Sequence, residues 1–518
     1  MDLHRAVGGL ITGKVAGYEL DRDYRSLIEN GTIGGVTLFR DNARDLTQLV
    51  SLCDALHSAA GAEPFLVMVD QEGGAVQRFD EVLSPLPSPM ALAGQQDLNA
   101  VRELMLSSAR QLRMVGVNCV LAPVLDINSN PRNPIIGTRS FGADRRRVVE
   151  LAQLVAAAYI AEGVLPVGKH FPGHGDTLQD SHLALAVVHA DMKMVWDREL
   201  YPFRHCLGQL PSILVGHVWL TELDDEMLPA SLSAKAINGL LRGELGYDGF
   251  LMSDDMPVMR AIVDHWGLEE AAVMAIQAGL DNLLISGTPD QIVSVHSALI
   301  SAVASGQITE DQVASALRRR KTAIPPNHAA GASANANRME VLEAEIAHGN
   351  ALSSDLSACC IATVRGDVPA ILQSSSDWVL VVPNHPRYKL DLLDHLSKRM
   401  PSSSAALHER RYTLKITSDE IAEVITFVGQ RNCLFVTFRA LLDDGQMQLG
   451  RALAERSGPT GLLVAADVPY EILELQAWHN AIATFDPSEL AMESLARVIA
   501  GEVRPMGILG LAACPLVS

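Results

Sequence analysis

The chain is short of basic residues: 41 Lys and Arg stand against 61 Asp and Glu, a formal net charge of −20 in 518 residues. Nucleic acid and anionic membranes are held mainly by positive charge, so this balance excludes both as principal partners. It points to an uncharged ligand, or to one gripped by a local basic cluster. Paired cysteines are also missing. The seven cysteines are odd in number and include no Cys-x-x-Cys spacing, which excludes a disulfide framework and fits a reducing compartment. The adjacent Cys359 and Cys360 are expected to fill a strand. No apolar run reaches the ~20 residues of a membrane helix, and the stretch around Gly8, Gly9, Leu10 and Ile11 is too short and glycine-broken for an export signal. Together these absences predict a cytoplasmic protein. There is no repeat between the halves and no low-complexity tract.

What is present is ordinary globular composition, 48% hydrophobic and 20% charged, over a length that calls for two domains. Short apolar runs at residues 33–39, 65–69, 117–125, 164–167, 213–215, 249–252 and 282–285 alternate with amphipathic stretches such as 148–161 and 268–278. That alternation predicts parallel strands joined by helices. Arg40, Asp70, Asp126, the pair Lys169-His170, His217 and Asp254 each fall at or just beyond the carboxyl end of a different run. Only a closed barrel brings that many strand ends to one mouth, whereas a doubly wound sheet gathers the few near its switch point. The expected fold class is therefore α/β: a (β/α)8 TIM-like barrel over residues 1–322. A linker and connecting helix follow over 323–357, then a smaller three-layer α/β domain over 358–518, with strands near 360–364, 378–382, 433–437 and 462–466.

The densest chemistry lies in Lys169-His170-Phe171-Pro172-Gly173-His174-Gly175-Asp176-Thr177 and the following Asp180-Ser181-His182. Cleaving a glycoside with retention takes a carboxylate to attack the anomeric carbon and an acid to protonate the leaving oxygen. Asp254, at a strand end, suits the nucleophile. His182 suits the acid, with Asp180 two residues earlier to orient its ring and stabilise the imidazolium. His170 and His174 have the i, i+4 spacing of a helical metal pair, but Pro172-Gly173 between them opposes a helix, so no metal is expected. Gly173-His174-Gly175-Asp176 lacks the Gly-Lys-Ser/Thr end of a phosphate loop, so no nucleotide is expected either. His174 and Asp176 are read as shaping the loop, His217 as either a site or a structural group, and Asp255 as a supporting residue or helix N-cap.

These segments resemble the β-N-acetylglucosaminidases of glycoside hydrolase family 3. The resemblance extends to Asp70-Gln71-Glu72-Gly73-Gly74-Ala75-Val76-Gln77-Arg78, to Gly137-Thr138-Arg139-Ser140-Phe141-Gly142, and to the approach Tyr247-Asp248-Gly249-Phe250. It covers residues from about 30 to 290. It implies a retaining mechanism with Asp254 as nucleophile and an Asp180–His182 dyad as acid/base. It further implies that Asp70, Arg78, Arg139, Lys169 and His170 hold a terminal N-acetylglucosamine, with no cofactor and a small carbohydrate as partner. The chain would act as a monomer or homodimer. The alternatives are a phosphorylase or broad β-glucosidase, or a sugar-binding protein without turnover. The sequence departs from the family pattern at Ala75, where many relatives carry arginine, at Pro257, and at Leu183-Ala184-Leu185-Ala186. None of these removes a group expected to be catalytic. Over 358–518 the likeness is loose.

Overall fold

The computed structural model describes residues 2–178, 185–258, 260–325, 337–368, 377–399 and 406–508. Eight parallel strands close into a barrel: β1 (Ile11–Lys14), β2 (Gly35–Leu38), β3 (Leu66–Val69), β4 (Cys119–Val120), β5 (Leu165–Phe171), β6 (Ser212–Val215), β7 (Phe250–Asp255) and β8 (Asn282–Leu284). The strands read as nearly continuous apolar runs because both faces are buried. Residues two apart share a face. Leu66 and Met68, Leu165 and Val167, and Phe250 and Met252 fill the barrel interior with Leu121, Leu214 and Leu284, and Ile324 joins the same cluster. Val67, Val69, Ile213, Val215 and Leu251 point outward into the larger core shared with the surrounding helices.

The helices begin and end on local signals. Thr288 caps the helix Pro289–Ala304 and exchanges hydrogen bonds with Gln291, with Pro289 at the first helical position. The helix Leu268–Ala278 stops at Gly279, whose φ of 112° lies in the left-handed region.

Three barrel strands differ from expectation. The first barrel strand, Ile11–Lys14, is absent from the apolar runs because Thr12, Gly13 and Lys14 interrupt its apolar character. The strand β5 runs on to Phe171 and β7 to Asp255, so Lys169, His170, Asp254 and Asp255 lie within strands rather than after them. Asp255 is therefore not a helix cap. Its carboxylate accepts from the backbone N–H and the hydroxyl of Ser286, and so ties the end of β7 to the segment after β8.

The second unit is a six-stranded sheet: β9 (Ala362–Arg365), β10 (Trp378–Asn384), β11 (Leu407–Thr413), β12 (Asn432–Thr437), β13 (Leu462–Ala465) and β14 (Asn480–Ala483). Its order is β9-β14-β13-β12-β10-β11, parallel throughout except where β9 runs antiparallel to β14. Alternate side chains serve two layers. Trp378, Leu380, Val382, Leu434, Val436, Leu462 and Val464 pack with the helices Leu392–Arg399 and Glu489–Ile499. Val379, Val381, Cys433, Phe435 and Leu463 face the helices Ser418–Val428 and Asp444–Ser457, in a core continuous with that of the barrel. The connecting helix expected within 323–357 spans Arg338–Cys360 and straps the two units together. Its Gly349 passes so close to Ser84 and Gln111 that a Cβ would lie 2.5 and 2.4 Å from their polar atoms. Cys359 and Cys360 end this helix instead of filling a strand. No helix among the described residues is long and apolar enough to cross a membrane.

The carboxyl ends of β10, β12, β13 and β14 turn toward the barrel mouth. Ser88 donates from its backbone to Asp486 at 3.1 Å and from its hydroxyl to the Phe485 carbonyl at 2.6 Å. Asn128 donates to the Tyr470 hydroxyl at 2.7 Å. Near this junction Glu471 is fully buried and accepts from the Thr437 hydroxyl at 2.7 Å. Burial, reinforced by the charge of Asp467, pushes its carboxyl up to about 7 from an ordinary 4.5. The folded state thus keeps a proton that the unfolded state sheds at lower pH. That contribution to stability is complete below about 4.5 and is lost as pH rises to about 7. Glu471→Gln is expected to shrink the fall in melting temperature between about pH 5 and about pH 8. Thermal unfolding at both values checks this, and an unchanged fall contradicts it.

Candidate active site

The residues at the mouth form a chain of alternating charge. The strand β3 delivers Asp70, and the ribbon after it (Gln71–Gly73 with Val76–Gln77) delivers Glu72 and Arg78. Lys169 on β5 lies between the two acids, its Nζ 2.8 Å from Asp70 Oδ1 and 2.6 Å from Glu72 Oε1. Arg78 Nη2 meets the other Asp70 oxygen at 3.1 Å. Arg139, on the turn Gly137–Arg139, grips Glu72 with two parallel bonds, Nε to Oε2 and Nη2 to Oε1, each 2.8 Å. Its Nη2 is also 3.1 Å from His170 Nε2. The opposite ring nitrogen of His170 pairs with Asp126 at 2.6 Å.

Lys169 and Glu72 are almost wholly buried, with 3% and 1% of their side chains exposed. Burial alone would neutralise both. Their mutual charges prevail: Glu72 is held below the carboxylate range by Arg139 and Lys169, and Lys169 is held above the usual ammonium value by Asp70 and Glu72. Burial likewise opposes ionisation of Asp70, and Lys169 and Arg78 reverse it. The arrangement is fully charged and prepaired, and such pairs present fixed acceptors and donors to a ligand rich in hydroxyls.

Asp254 lies near the end of β7 with its Oδ1 accepting from the Asp255 N–H at 2.9 Å. Burial would raise its pKa, but attraction to His170 and His217, the Asp255 N–H and Lys169 bring it below the ordinary value. It is an ionised carboxylate facing the cationic side of the mouth. His217, just beyond β6, shares a 2.6 Å hydrogen bond with Ser231 through Nδ1.

The loop after β5 is built to a fixed shape. Asp126 accepts from the His174 backbone N–H at 2.7 Å, and the His174 ring bonds the Thr177 hydroxyl at 2.6 Å. Burial depresses the His174 imidazole to about 4, so it is neutral. Asn133 donates to the carbonyls of His174 and Gly175 at 2.8 and 3.1 Å, tying this loop to the turn that carries Arg139. Asp176 pairs with Arg198 at 2.6 Å. At Gly175 a Cβ would overlap the Ile127 carbonyl oxygen, so only glycine allows that approach.

Of the residues expected from the sequence, Asp70, Arg78, Arg139, Lys169, His170 and Asp254 converge on this mouth. Asp180 and His182 lie outside the described residues. Arg40 is turned to Asp80 and Glu81, at 2.6 and 3.0 Å. Both His170 nitrogens are engaged, one by Asp126 and one by Arg139, and the His174 ring is turned to Thr177. Glu72, the partner of both Lys169 and Arg139, was not foreseen as a member of the site, and Asp126, expected at the mouth, had no role assigned there although it orients His170. Each sat in a quoted segment or strand end, but only the tertiary pairing distinguishes them from neighbouring acids.

A barrel with its charged groups at the carboxyl ends of the strands defines an enzyme of the TIM-barrel class. Residues 4–323 match the Glycosyl hydrolase family 3 N terminal domain, and the chain belongs to that family and is a glycoside hydrolase. It is 38% identical over 296 residues to a beta-hexosaminidase of Alkalilimnicola ehrlichii, covering 56% of this chain and 83% of that protein. Beta-hexosaminidase A of Pseudoalteromonas piscicida is 28% identical over 523 residues, covering 89% and 84% of the two chains. Among solved structures, a family 3 beta-N-acetylglucosaminidase from Paenibacillus sp. str. FPU-7 superposes with a TM-score of 0.85 at 30% identity, over 100% of this chain and 99% of that one.

Lys169→Met is expected to leave Asp70 and Glu72 facing one another without their shared cation, at a cost of about 3–5 kcal/mol. Calorimetric or denaturant unfolding checks it; a loss under about 1 kcal/mol, the scale of an exposed pair, contradicts the buried network.

Proposed function

We propose that the protein is a retaining exo-β-N-acetylglucosaminidase that removes non-reducing N-acetylglucosamine from peptidoglycan-derived fragments or chito-oligosaccharides. The observation that carries this reading is the meeting of one ionised carboxylate, Asp254, with the prepaired set Asp70, Arg78, Arg139, Lys169 and His170 at a single barrel mouth. In this reading those five residues hold the terminal sugar. Asp70 accepts from sugar hydroxyls, while the cationic groups donate to hydroxyl and carbonyl oxygens.

Asp254 attacks the anomeric carbon, the glycosidic C–O bond breaks, and the leaving oxygen takes a proton from the His182 imidazolium. In the second half His182 removes a proton from water, the water oxygen attacks the same carbon, and the ester to Asp254 breaks. Asp180 orients His182 in both steps. A cytoplasmic setting belongs to the same reading and is supported by the six described cysteines, all unpaired.

Asp254→Ala is expected to lower release of nitrophenol from the aryl β-N-acetylglucosaminide by about 10⁴-fold or more, as for other nucleophile deletions. His182→Ala should cost about 10²–10⁴-fold on chitobiose but less on the aryl glycoside, whose phenolate leaves without full protonation. The assays are run with and without phosphate. Sugar 1-phosphate as the main product, or an Asp254→Ala variant within tenfold of wild type, overturns the reading.

A further inference from the structure

The mouth is not built by the barrel alone. Two arginines of the second unit reach across to it. Arg439, just beyond β12, donates through Nη1 to the backbone carbonyl of Pro134. Arg387, beyond β10, donates through Nη2 to the carbonyl of Ala75 at 2.6 Å. Each contact falls on a segment that ends in an arginine of the site. Pro134 lies five residues before Arg139, and Ala75 three residues before Arg78.

The fit at Arg439 is close and specific. Its Nε is fixed by Asp467 at 2.7 Å, an acid with none of its side chain exposed. Its backbone has φ 48°, the left-handed region that residues other than glycine seldom occupy. Such a conformation persists where the surroundings dictate it. Opposite, Gly137 opens the turn that carries Arg139, and a Cβ there would lie 3.1 Å from Arg439 Nη2 and 3.3 Å from Val468. The Arg439 and Arg139 guanidinium groups are near enough to repel. Asp467 holds one and Glu72 the other, so the charges stay apart and in register. Arg387 is backed by Tyr388, whose ring lies 5.3 Å from its guanidinium carbon. Tyr388 in turn packs with His385 and Phe438 at ring separations of 4.7 and 6.0 Å.

We propose that Arg439 and Arg387 are positioning residues for the sugar-binding arginines of the barrel, each clamping by a backbone carbonyl the loop that carries one of them. The inference rests on the reading that Arg139 and Arg78 hold the sugar. It assigns the second unit a part in substrate binding without placing any of its side chains on the reacting atoms. A misplacement on the order of 1 Å in a binding group can cost 10²-fold. A backbone clamp on each loop suppresses displacements of that kind.

The test uses the full chain. Arg439→Gln with Asp467→Asn removes the clamp and leaves no unpaired buried charge; Arg387→Ala removes the other contact at an exposed position. For the Arg439/Asp467 variant, KM for the nitrophenyl β-N-acetylglucosaminide is expected to rise about tenfold with kcat within about threefold. Arg387→Ala is expected to raise KM about threefold. In an Arg139→Lys background, which itself raises KM, removing Arg439 should add less than about twofold, because both changes act through the same guanidinium. An equal rise in KM in both backgrounds, or a fall in kcat with KM held, overturns the proposal while leaving the sugar-binding reading intact. An Arg139→Lys variant with unchanged KM overturns that reading and the proposal with it.

Discussion

Lys169 between Asp70 and Glu72 is the interaction on which the mouth depends. Three charged groups with little access to water are tolerable only because each satisfies the next, Glu72 through Arg139 and Asp70 through Arg78. The chain of pairs spans three segments far apart in sequence: the ribbon after β3, the turn before Ser140, and β5. It therefore fixes the distances between loops as well as the charge at each position. Asp126 extends the same logic on the other side, where it holds His170 by the ring and the His174 loop by its backbone. A pocket so connected needs little reorganisation when a sugar arrives, which is the condition under which electrostatic stabilisation is most effective.

Much of this was legible in the sequence, for a physical reason. Strands buried on both faces must be apolar along their whole length, so seven of the eight barrel strands stood out. The polar residues at their ends then stood out by contrast. What escaped notice lacked one of these signals. The strand Ile11–Lys14 contains a glycine and ends in lysine. The strand β11, Leu-His-Glu-Arg-Arg-Tyr-Thr, lies at a sheet edge where charge is common, and so is missing from the expected strands. Cys360, apolar and next to an apolar run, reads as strand although it ends a long helix. Glu72 resembles any acid two residues from Asp70 until Lys169 and Arg139 are seen to close on it. Arg439 carries no local signal at all, because its left-handed backbone and its partners come from tertiary packing.

The second unit is coupled to the barrel through polar contacts rather than by an apolar seam alone. Asp486 and Phe485 accept from Ser88, Tyr470 accepts from Asn128, and the two arginines reach backbone carbonyls. All of these lie past the carboxyl ends of parallel strands, the edge at which open α/β sheets place their binding groups. Here that edge faces the barrel's own functional end. The strap helix Arg338–Cys360 holds the two units together from the outside, packed against Leu98–Val115 of the barrel and Glu489–Ile499 of the second unit.

The central claim is that Asp254, held ionised among His170, His217 and Lys169, becomes covalently joined to the sugar. Incubation with a fluorinated N-acetylglucosaminyl fluoride, followed by proteolysis and mass spectrometry, tests it most directly. The account predicts one added sugar on the peptide containing Asp254. An adduct on any other residue, or a first-formed product of inverted configuration, contradicts it.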